Sequence, residues 1–176
     1  MATFNIVPDK ATGDIFTEAM WDDSIKTNIN NMIVPPACRV YKSSAQSIGT
    51  SSFATITFDQ ERFDTDGMHS TSSNTDRITI QTPGIYLVTG MVGFDSNAAG
   101  LRSAGIFMNG STYLAAIDVP ANSVGGCNLA LSTIYEFAAG DYVTLRVWQN
   151  SGGALNVLAA SASSPELAAI WLGRTS

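Results

Sequence analysis

An apolar stretch follows the turn signal Pro83-Gly84 and continues to Phe94. Its aliphatic and aromatic residues predict a β-strand, in which alternate side chains point to opposite faces. One face carries Ile85, Leu87, Thr89 and Met91, and the other carries Tyr86, Val88, Gly90 and Val92. An antiparallel strand with one wet face should alternate apolar and polar residues, but this one is apolar on both faces. We therefore expect one face to fill the core and the other to be covered by a second copy of the chain.

Short apolar runs separated by turns rich in Gly, Ser and Asn fill the chain from Ala37 onward. Asn109-Gly110 is a strong hairpin signal. Since no helical pattern lies between the runs, they predict an all-β sandwich or jelly roll of about ten antiparallel strands. Besides the central strand, the predicted strands are Cys38 to Lys42, Phe53 to Phe58, Arg77 to Ile80, Arg102 to Met108, Thr112 to Val119, Leu129 to Phe137, Tyr142 to Trp148, Leu155 to Ala159 and Leu167 to Leu172.

The first 36 residues have a different pattern and are predicted to form a separate N-terminal segment, with the jelly roll spanning residues 37–176. Helical spacing places Trp21, Ile25, Ile29 and Met32 on one stripe, and Thr17 is a candidate N-cap. Pro35-Pro36 ends the helix. A helix this short needs a surface to lie on. Either it packs on its own domain, or its stripe attaches the protein to a larger assembly or bundles with the helices of other copies.

Charged residues make up only 14% of the chain, against about 25% in ordinary domains, so we expect a largely neutral surface. The net charge of −6 argues against nucleic-acid binding, which requires a basic patch. No apolar run is long enough to span a membrane. The first ten residues have no basic segment followed by an apolar run, so no secretory signal is predicted. The two cysteines, Cys38 and Cys127, are interpreted as small buried residues, and a bridge would require their strand ends to meet.

Candidate chemistry is sparse. His69 is the one histidine and is interpreted as a solvated loop residue, since no orienting acid or nucleophile is identified for it. The sequence therefore predicts neither an enzyme nor a cofactor. An acidic run, with Asp59, Asp64 and Asp66 before Gly67, has part of the oxygen-ligand pattern that calcium prefers. An acidic solvated loop is the preferred interpretation of this run, and a calcium site is the alternative.

Two aromatic residues, Tyr142 and Trp148, lie on the outer face of a predicted strand whose inner face is Val143, Leu145 and Val147. Exposed aromatic residues mark interfaces or sugar-stacking sites, and a contact between copies is the preferred interpretation. The predicted interface between copies comprises Tyr86, Leu87, Met91, Tyr142 and Trp148.

Three motifs resemble the globular head of complement C1q, in the C1q/TNF-like jelly-roll superfamily. They are Pro83-Gly84-Ile85-Tyr86-Leu87-Val88, the run from Phe137 to Leu145 that contains Gly140-Asp141, and Leu167 to Leu172. Gly84 and Tyr86 match the family pattern Gly-x-Tyr-x-Phe, whereas Val88 replaces the aromatic residue. The resemblance covers roughly residues 37–172 and implies a threefold homotrimer. The collagen-like stem of animal members is absent from this sequence.

The leader, with Thr12-Gly13-Asp14 before the helix and Pro35-Pro36 after it, resembles that of small bacteriophage virion proteins with C1q-like domains. This resemblance implies a capsid decoration or head-fibre protein located in the virion, attached to other virion proteins through the N-terminal segment. A tail-tip or fibre adhesin that binds host-surface glycan or protein is the alternative. A bacterial C1q-like ligand-binding module is a further one. The candidate adhesive loops are Met68 to Asp76, Asp95 to Gly100 and Ala121 to Gly126.

Overall fold

The computed structural model describes residue 15 and residues 17–121, 125–160 and 163–174, with backbone only at residues 22–24, 27 and 31. The α-helical and π-helical turns of the described residues lie in an N-terminal helical segment with three parts. These are α1 (Glu18–Met20), a π-helical turn (Trp21–Lys26) and α2 (Thr27–Ile33). The predicted cap is confirmed, since the Thr17 side chain accepts a hydrogen bond from the Met20 backbone N–H. No helix in the described residues is long and apolar enough to cross a membrane.

The described residues contain twelve strands in two antiparallel sheets that pack face to face, which confirms the predicted jelly-roll sandwich. The strands are β1 (Ala37–Tyr41), β2 (Gln46–Ile48), β3 (Ala54–Thr55), β4 (Gln60–Asp64), β5 (Ile78–Thr79), β6 (Gly84–Phe94), β7 (Leu101–Met108), β8 (Thr112–Pro120), β9 (Cys127–Phe137), β10 (Tyr142–Gln149), β11 (Leu155–Val157) and β12 (Glu166–Gly173). Sheet A has the order β2-β11-β6-β12-β1-β4, and β9 also pairs with β6. Sheet B has the order β3-β10-β7-β8, and β5 also pairs with β10.

The core lies between the sheets and is filled by alternate residues of the long strands. Sheet B contributes Val143, Leu145 and Val147, all fully buried, as the alternation of β10 predicts. From β6, the face with Tyr86, Val88 and Val92 fills the core. The opposite face of β6 is only partly covered. Strand β6 is therefore apolar on both faces, and the sandwich itself buries one of them.

Two strands were missed by the sequence pattern. Strand β2 is short and polar, and it forms by pairing with β11. Strand β4 has exposed side chains and lies at the edge of sheet A beside β1. Edge strands tolerate polar residues because only one neighbour and one face constrain them, so hydrophobic alternation does not reveal them. The run Phe53 to Phe58 was too long as a predicted strand, since β3 covers only Ala54 and Thr55 and a single further bond joins the Ile56 N–H to the Leu145 carbonyl oxygen (2.9 Å).

The Asn109-Gly110 hairpin is confirmed and joins β7 to β8. Both residues have positive φ angles, 51° and 74°, as a tight hairpin turn requires. The Asn109 side chain also donates to Asp141 Oδ1 (2.8 Å) and accepts from the Tyr142 backbone N–H (3.0 Å). These bonds hold the hairpin against the start of β10.

Both cysteines are free thiols in two separate parts of sheet A. Cys38 lies on β1 and is fully buried, whereas Cys127 begins β9 opposite Phe94 and is half-buried. Burial raises the pKa of the Cys38 thiol well above its ordinary value, and the nearby Asp64 and Glu61 carboxylates raise it further. The interpretation of Cys38 as a small buried residue is confirmed, and Cys127 is only partly covered.

Candidate functional site on the outer face of sheet A

The outer face of sheet A presents apolar side chains in a row across three strands. Leu87 on β6 lies directly between Ile134 on β9 and Ile170 on β12. Directly paired residues point to the same face of a sheet, so these three side chains are neighbours. Ile134 is 63% exposed, and Leu172, two residues after Ile170, is 52% exposed. A contiguous apolar face of this kind is typical of an interaction surface.

Beside this row the face is lined with smaller residues. Thr89 lies between Ser132 and Ala168, and Met91 lies between Ala130 and Glu166. The short side chains of Thr89, Ala130, Ser132 and Ala168 leave a shallow depression of about 510 Å³ that also reaches Arg39. A protruding side chain of a partner could fill this depression, while the row at Leu87 could pack against a flat apolar surface.

An ionic cluster closes one end of the depression. Glu166 Oε2 accepts a hydrogen bond from Arg39 Nε (2.6 Å), and Oε1 accepts one from Arg62 Nε (2.9 Å). A second nitrogen of each arginine also contacts the same carboxylate. The Arg62 guanidinium stacks 4.6 Å from the centre of the Tyr41 ring. The cluster ties β1, β4 and β12 together, with the carboxylate buried and both arginines half exposed.

The Glu166 carboxylate makes the stability of the fold dependent on pH. Burial alone would raise the pKa of Glu166, but the hydrogen bonds from Arg62 and Arg39 outweigh it and hold that pKa below the ordinary 4.5. A carboxylate with a lowered folded-state pKa stabilises the fold above its unfolded-state pKa. This contribution is lost as the pH falls through the folded-state value.

We expect Glu166→Gln to lower the free energy of unfolding near neutral pH and to have a smaller effect in acid. Urea denaturation of both proteins from about pH 7 to about pH 3 measures this difference. Asp95→Asn, a change at an exposed carboxylate in the β6–β7 loop, is the control. A difference between wild type and Glu166→Gln that stays constant across this range would contradict the assigned role of the carboxylate.

The five residues predicted for the trimer interface do not form one surface. Leu87 and Met91 lie on the outer face of sheet A. Tyr86 was wrongly assigned, because it is fully buried in the core and its hydroxyl donates to the Thr82 carbonyl oxygen (2.6 Å). Tyr142 and Trp148 lie on the outer face of sheet B, on the opposite side of the sandwich. They cannot share one flat interface with Leu87.

The residues that the sequence pattern missed on this face are Ile134, Ile170 and Leu172. The signal was present in β12, where Ile170 and Leu172 alternate with inward residues. On β9 the signal was weak, since Ile134 shares its face with Ala130, Ser132 and Glu136. Only the register with β6 shows that Ile134 lies beside Leu87.

The acidic residues considered for calcium act as hydrogen-bond acceptors within the domain. Asp59 accepts from the Ser43 backbone N–H (2.8 Å) and hydroxyl (2.6 Å). Asp64 accepts from the backbone N–H groups of Asp66 and His69 (3.1 and 2.9 Å). The buried Asp66 accepts from the Thr82 hydroxyl (2.8 Å). Across residues 17–121, 125–160 and 163–174, no group of three potential ligands converges on a metal position.

His69 is held more firmly than a solvated loop residue. Its Nδ1 lies 2.9 Å from the Arg77 carbonyl oxygen, which makes Nδ1 the donor nitrogen of the ring. The ring also meets the buried Phe58 edge to face, with centroids 6.4 Å apart. The residue therefore helps to fasten the long loop before β5 to the domain.

The helical stripe proposed for attachment is largely uncovered. Trp21 is 51% exposed and Met32 is 75% exposed, while Ile29 is also exposed and Ile25 is partly covered. The extensive contacts of these turns are with one another. The leader residues Ala11 to Asp14 and Phe16 lie outside the described residues.

The three candidate adhesive loops do not form one cluster. Strand β6 ends at Phe94 opposite the first residue of β9, so the loops 95–100 and 121–126 share one end of the sandwich. Residues 122–124 of the second loop lie outside the described part. The loop 68–76 precedes β5, which pairs with the start of β10 at the other end. Strand β1 also begins at that other end, opposite Ile170.

The sequence matches no known protein-family profile and no curated protein. Many solved structures share its fold. Murine APRIL matches with a TM-score of 0.62 at 13% identity, over 78% of this chain and 98% of that one. The globular domain of zebrafish complement 1qA matches with a TM-score of 0.58 at 12% identity, over 80% of this chain and 99% of that one. Eiger TNF from S. frugiperda matches with a TM-score of 0.59 at 13% identity, over 80% of this chain and 96% of that one. The chain therefore has the C1q/TNF-like jelly-roll fold.

Proposed function

We propose that this chain is a non-enzymatic, homotrimeric structural protein of a bacteriophage virion, a capsid decoration or head-fibre protein attached through its N-terminal segment. The observation that carries the trimer is the apolar outer face of sheet A, with Leu87, Ile134 and Ile170 side by side. Covering this face with other copies would remove its exposed aliphatic side chains from water.

Three copies arranged around an axis use the same surface of each chain, so no unmatched apolar face is left over. The centre of the row is uncharged, and the ionic cluster lies to one side at Glu166. This arrangement is typical of interfaces, which have an apolar centre and a polar rim. Sheet B then faces away from the axis and stays accessible to other partners.

Location in the virion is supported by two features of the N-terminal segment. Its leader resembles that of phage virion proteins, and the stripe at Trp21, Ile29 and Met32 is exposed in the single chain. An amphipathic helix needs a partner for its apolar stripe. In a trimer, three such stripes would bind one particle together, which multiplies a modest affinity.

The molar mass of the purified protein in solution, from light scattering, tests the trimer. We expect three times the mass of one chain, and a monomer across the accessible concentration range would overturn it. Electron cryomicroscopy of the phage whose genome encodes this chain tests the location. Density for the jelly roll on the capsid is the expected result, and absence of the chain from purified virions would contradict it.

A variant beginning at Ala37 is expected to remain folded and trimeric but to lose attachment to particles. Its strand β1 starts at Ala37, and the Ala37 N–H bonds to the Thr65 hydroxyl (2.8 Å), so the sandwich keeps its first strand. Co-sedimentation with particles that lack this protein measures attachment, with the full chain as the control. Unfolding of this variant would show that the N-terminal segment is needed for the stability of the domain. Retained attachment would show that the attachment site lies in the jelly roll.

An adhesin that binds a host-surface glycan or protein is the second candidate. The loops 95–100 and 121–126 lie at the end of the sandwich opposite the N-terminal segment. A loop far from the attachment point is well placed to meet another surface, and loops tolerate the variation that recognition requires. Binding of the purified protein to host cells, and its loss when residues 95–100 are replaced by a short Gly-Ser linker, would favour this candidate.

A further inference from the structure

A second depression lies on the outer face of sheet B, on the side away from the proposed trimer interface. Strands β3 and β5 pair with the same edge of β10, Thr55 opposite Arg146 and Thr79 opposite Tyr142. Thr144 lies between these two pairings, where the chain from β3 to β5 leaves the sheet. The result is a pocket of about 160 Å³, lined by Asp76, Arg77, Gly110, Tyr142, Thr144 and Arg146.

Two polar atoms of residues lining this pocket have no hydrogen-bond partner among the described residues. They are the hydroxyl oxygen of Thr144, which is only 3% exposed, and Nε of Arg146. An arginine nitrogen can only donate, and a threonine hydroxyl can donate as well. Buried polar groups are nearly always paired, so two unpaired donors in one pocket indicate a missing acceptor.

The charges around the pocket favour an anion. Arg146 is held over the ring of Phe107 (4.7 Å) and donates to the Gly110 carbonyl oxygen (3.0 Å). Arg77 is stacked on the Tyr142 ring (4.1 Å) and is paired with Asp76 (2.9 Å). Two guanidinium groups and one carboxylate leave one net positive charge, which matches a monoanion such as a carboxylate. A phosphate monoester carries a charge of about −1.5 to −2 at neutral pH and would leave an excess of negative charge.

The surroundings of Arg146 are aromatic. Arg146 also lies over the ring of Phe53, which is 51% exposed and meets Phe107 edge to face. On the far side of Phe107, Tyr113 is 54% exposed, with the two ring centroids 3.9 Å apart. A small-molecule site typically combines such apolar surface with a few polar groups that fix orientation. Phe107 pairs with Thr144 across β7 and β10, which brings the aromatic group beside the pocket. The exposed rings of Phe53 and Tyr113 suit the apolar C–H face of a sugar ring.

We propose that this pocket binds an acidic saccharide, with the sugar carboxylate accepting hydrogen bonds from Thr144 and Arg146 and the ring resting on the adjoining aromatic surface. An acidic peptide is less well suited, because an extended peptide binds by pairing with a free sheet edge. Here β3 and β5 already occupy the edge of β10 on either side of Thr144.

Nuclear magnetic resonance on the ¹⁵N-labelled protein tests this proposal directly. The probe is methyl β-D-glucuronide, and the neutral comparator is methyl β-D-glucoside, which differs only in having a hydroxymethyl group instead of the carboxylate. We expect the glucuronide to shift the Arg146 Nε–H resonance and the Thr144 amide in a saturable way, and the glucoside to leave both unchanged. Absence of a saturable shift would mean that the pocket holds only water and would overturn the proposal.

Two variants and a control connect the binding to the pocket. Thr144→Val keeps the shape of the side chain and removes the hydroxyl, and Arg146→Lys keeps the charge and removes Nε. Each is expected to weaken glucuronide binding by about tenfold or more, since each removes a hydrogen bond to a charged group. Arg174→Gln removes an exposed arginine beyond β12 and should leave binding unchanged. Unchanged affinity in both pocket variants would overturn the assignment.

Two further ligands separate the sugar from other carboxylates. Acetate bound as tightly as the glucuronide would show a simple anion site and contradict the role of the ring. N-acetyl-glutamate amide bound more tightly would point to an acidic peptide and also overturn the proposal. The folding of Thr144→Val is checked by its thermal midpoint without ligand. We expect this midpoint to rise, because the change removes an unpaired buried hydroxyl, and a decrease would show that the hydroxyl already has a partner.

Discussion

Gly84→Ala is expected to lower the free energy of unfolding by about 3 kcal/mol or more, from backbone strain and overpacking together. Gly84 has a φ angle of 148°, which side chains rarely allow. A Cβ atom there would lie 2.3 Å from Trp171 Nε1 and 2.5 Å from the Gly173 carbonyl oxygen. The indole cannot simply move away, since Nε1 donates to the Pro83 carbonyl oxygen (3.3 Å). Urea denaturation of both proteins measures the loss.

Gly140→Ala is the matched control for this prediction. Gly140 also has a positive φ angle, 91°, but a Cβ atom there would meet no atom within 4 Å. Its expected cost is about 1 kcal/mol, from the backbone conformation alone. Equal losses at the two positions would show that the contact with Trp171 contributes nothing. The comparison gives a physical reason for the glycine in the Gly-x-Tyr pattern, in which Tyr86 then fastens the same turn through Thr82.

Leu87→Asp is expected to convert the proposed trimer into monomer or aggregate without unfolding the sandwich. Leu87 is at the centre of the row on sheet A, between Ile134 and Ile170. In an assembled trimer each copy would bury an unpaired carboxylate, which is strongly unfavourable. In a single chain the new carboxylate would point to solvent. Light scattering reports the mass, and circular dichroism reports the fold.

The control for the trimer is Leu101→Asp, the same substitution at a 42% exposed leucine at the start of β7. Leu101 belongs to sheet B, so the trimer should persist in this variant. A native trimer of Leu87→Asp would defeat the assignment of the interface to sheet A. Dissociation of both variants would indicate that a general increase in negative charge, and not the location of the carboxylate, separates the copies.

The alternation of single strands was sufficient to predict much of the fold. It identified β6 as apolar on both faces and placed Val143, Leu145 and Val147 in the core. It could not decide which face of β6 points inward, because both are apolar. Tyr86 was for that reason assigned to a surface that it never reaches.

The two candidate sites depend on contacts between residues that are distant in the sequence. The periodicity of a single strand carries no information about such contacts. Leu87 and Ile134 become neighbours only through the register of β6 and β9. Thr144 alternates with the inward residues Val143 and Leu145, but its pocket exists because β3 and β5 leave a gap beside it. Trp148 and Tyr142 were correctly placed on an outer face. Only the topology of the strands shows that this face belongs to sheet B.

The position of β12 has a consequence for how the chain reaches its native state. This last strand lies in the middle of sheet A, between β1, the first strand, and β6. On the ribosome, β1 and β6 must therefore wait with unpaired edges until Gly173 has been synthesised and released. Such non-local pairing slows folding, and open edges favour association with other unfinished chains. Premature termination anywhere before Glu166 would thus leave at least one edge of each of these two apolar strands unpaired, so the yield of this protein depends on complete synthesis.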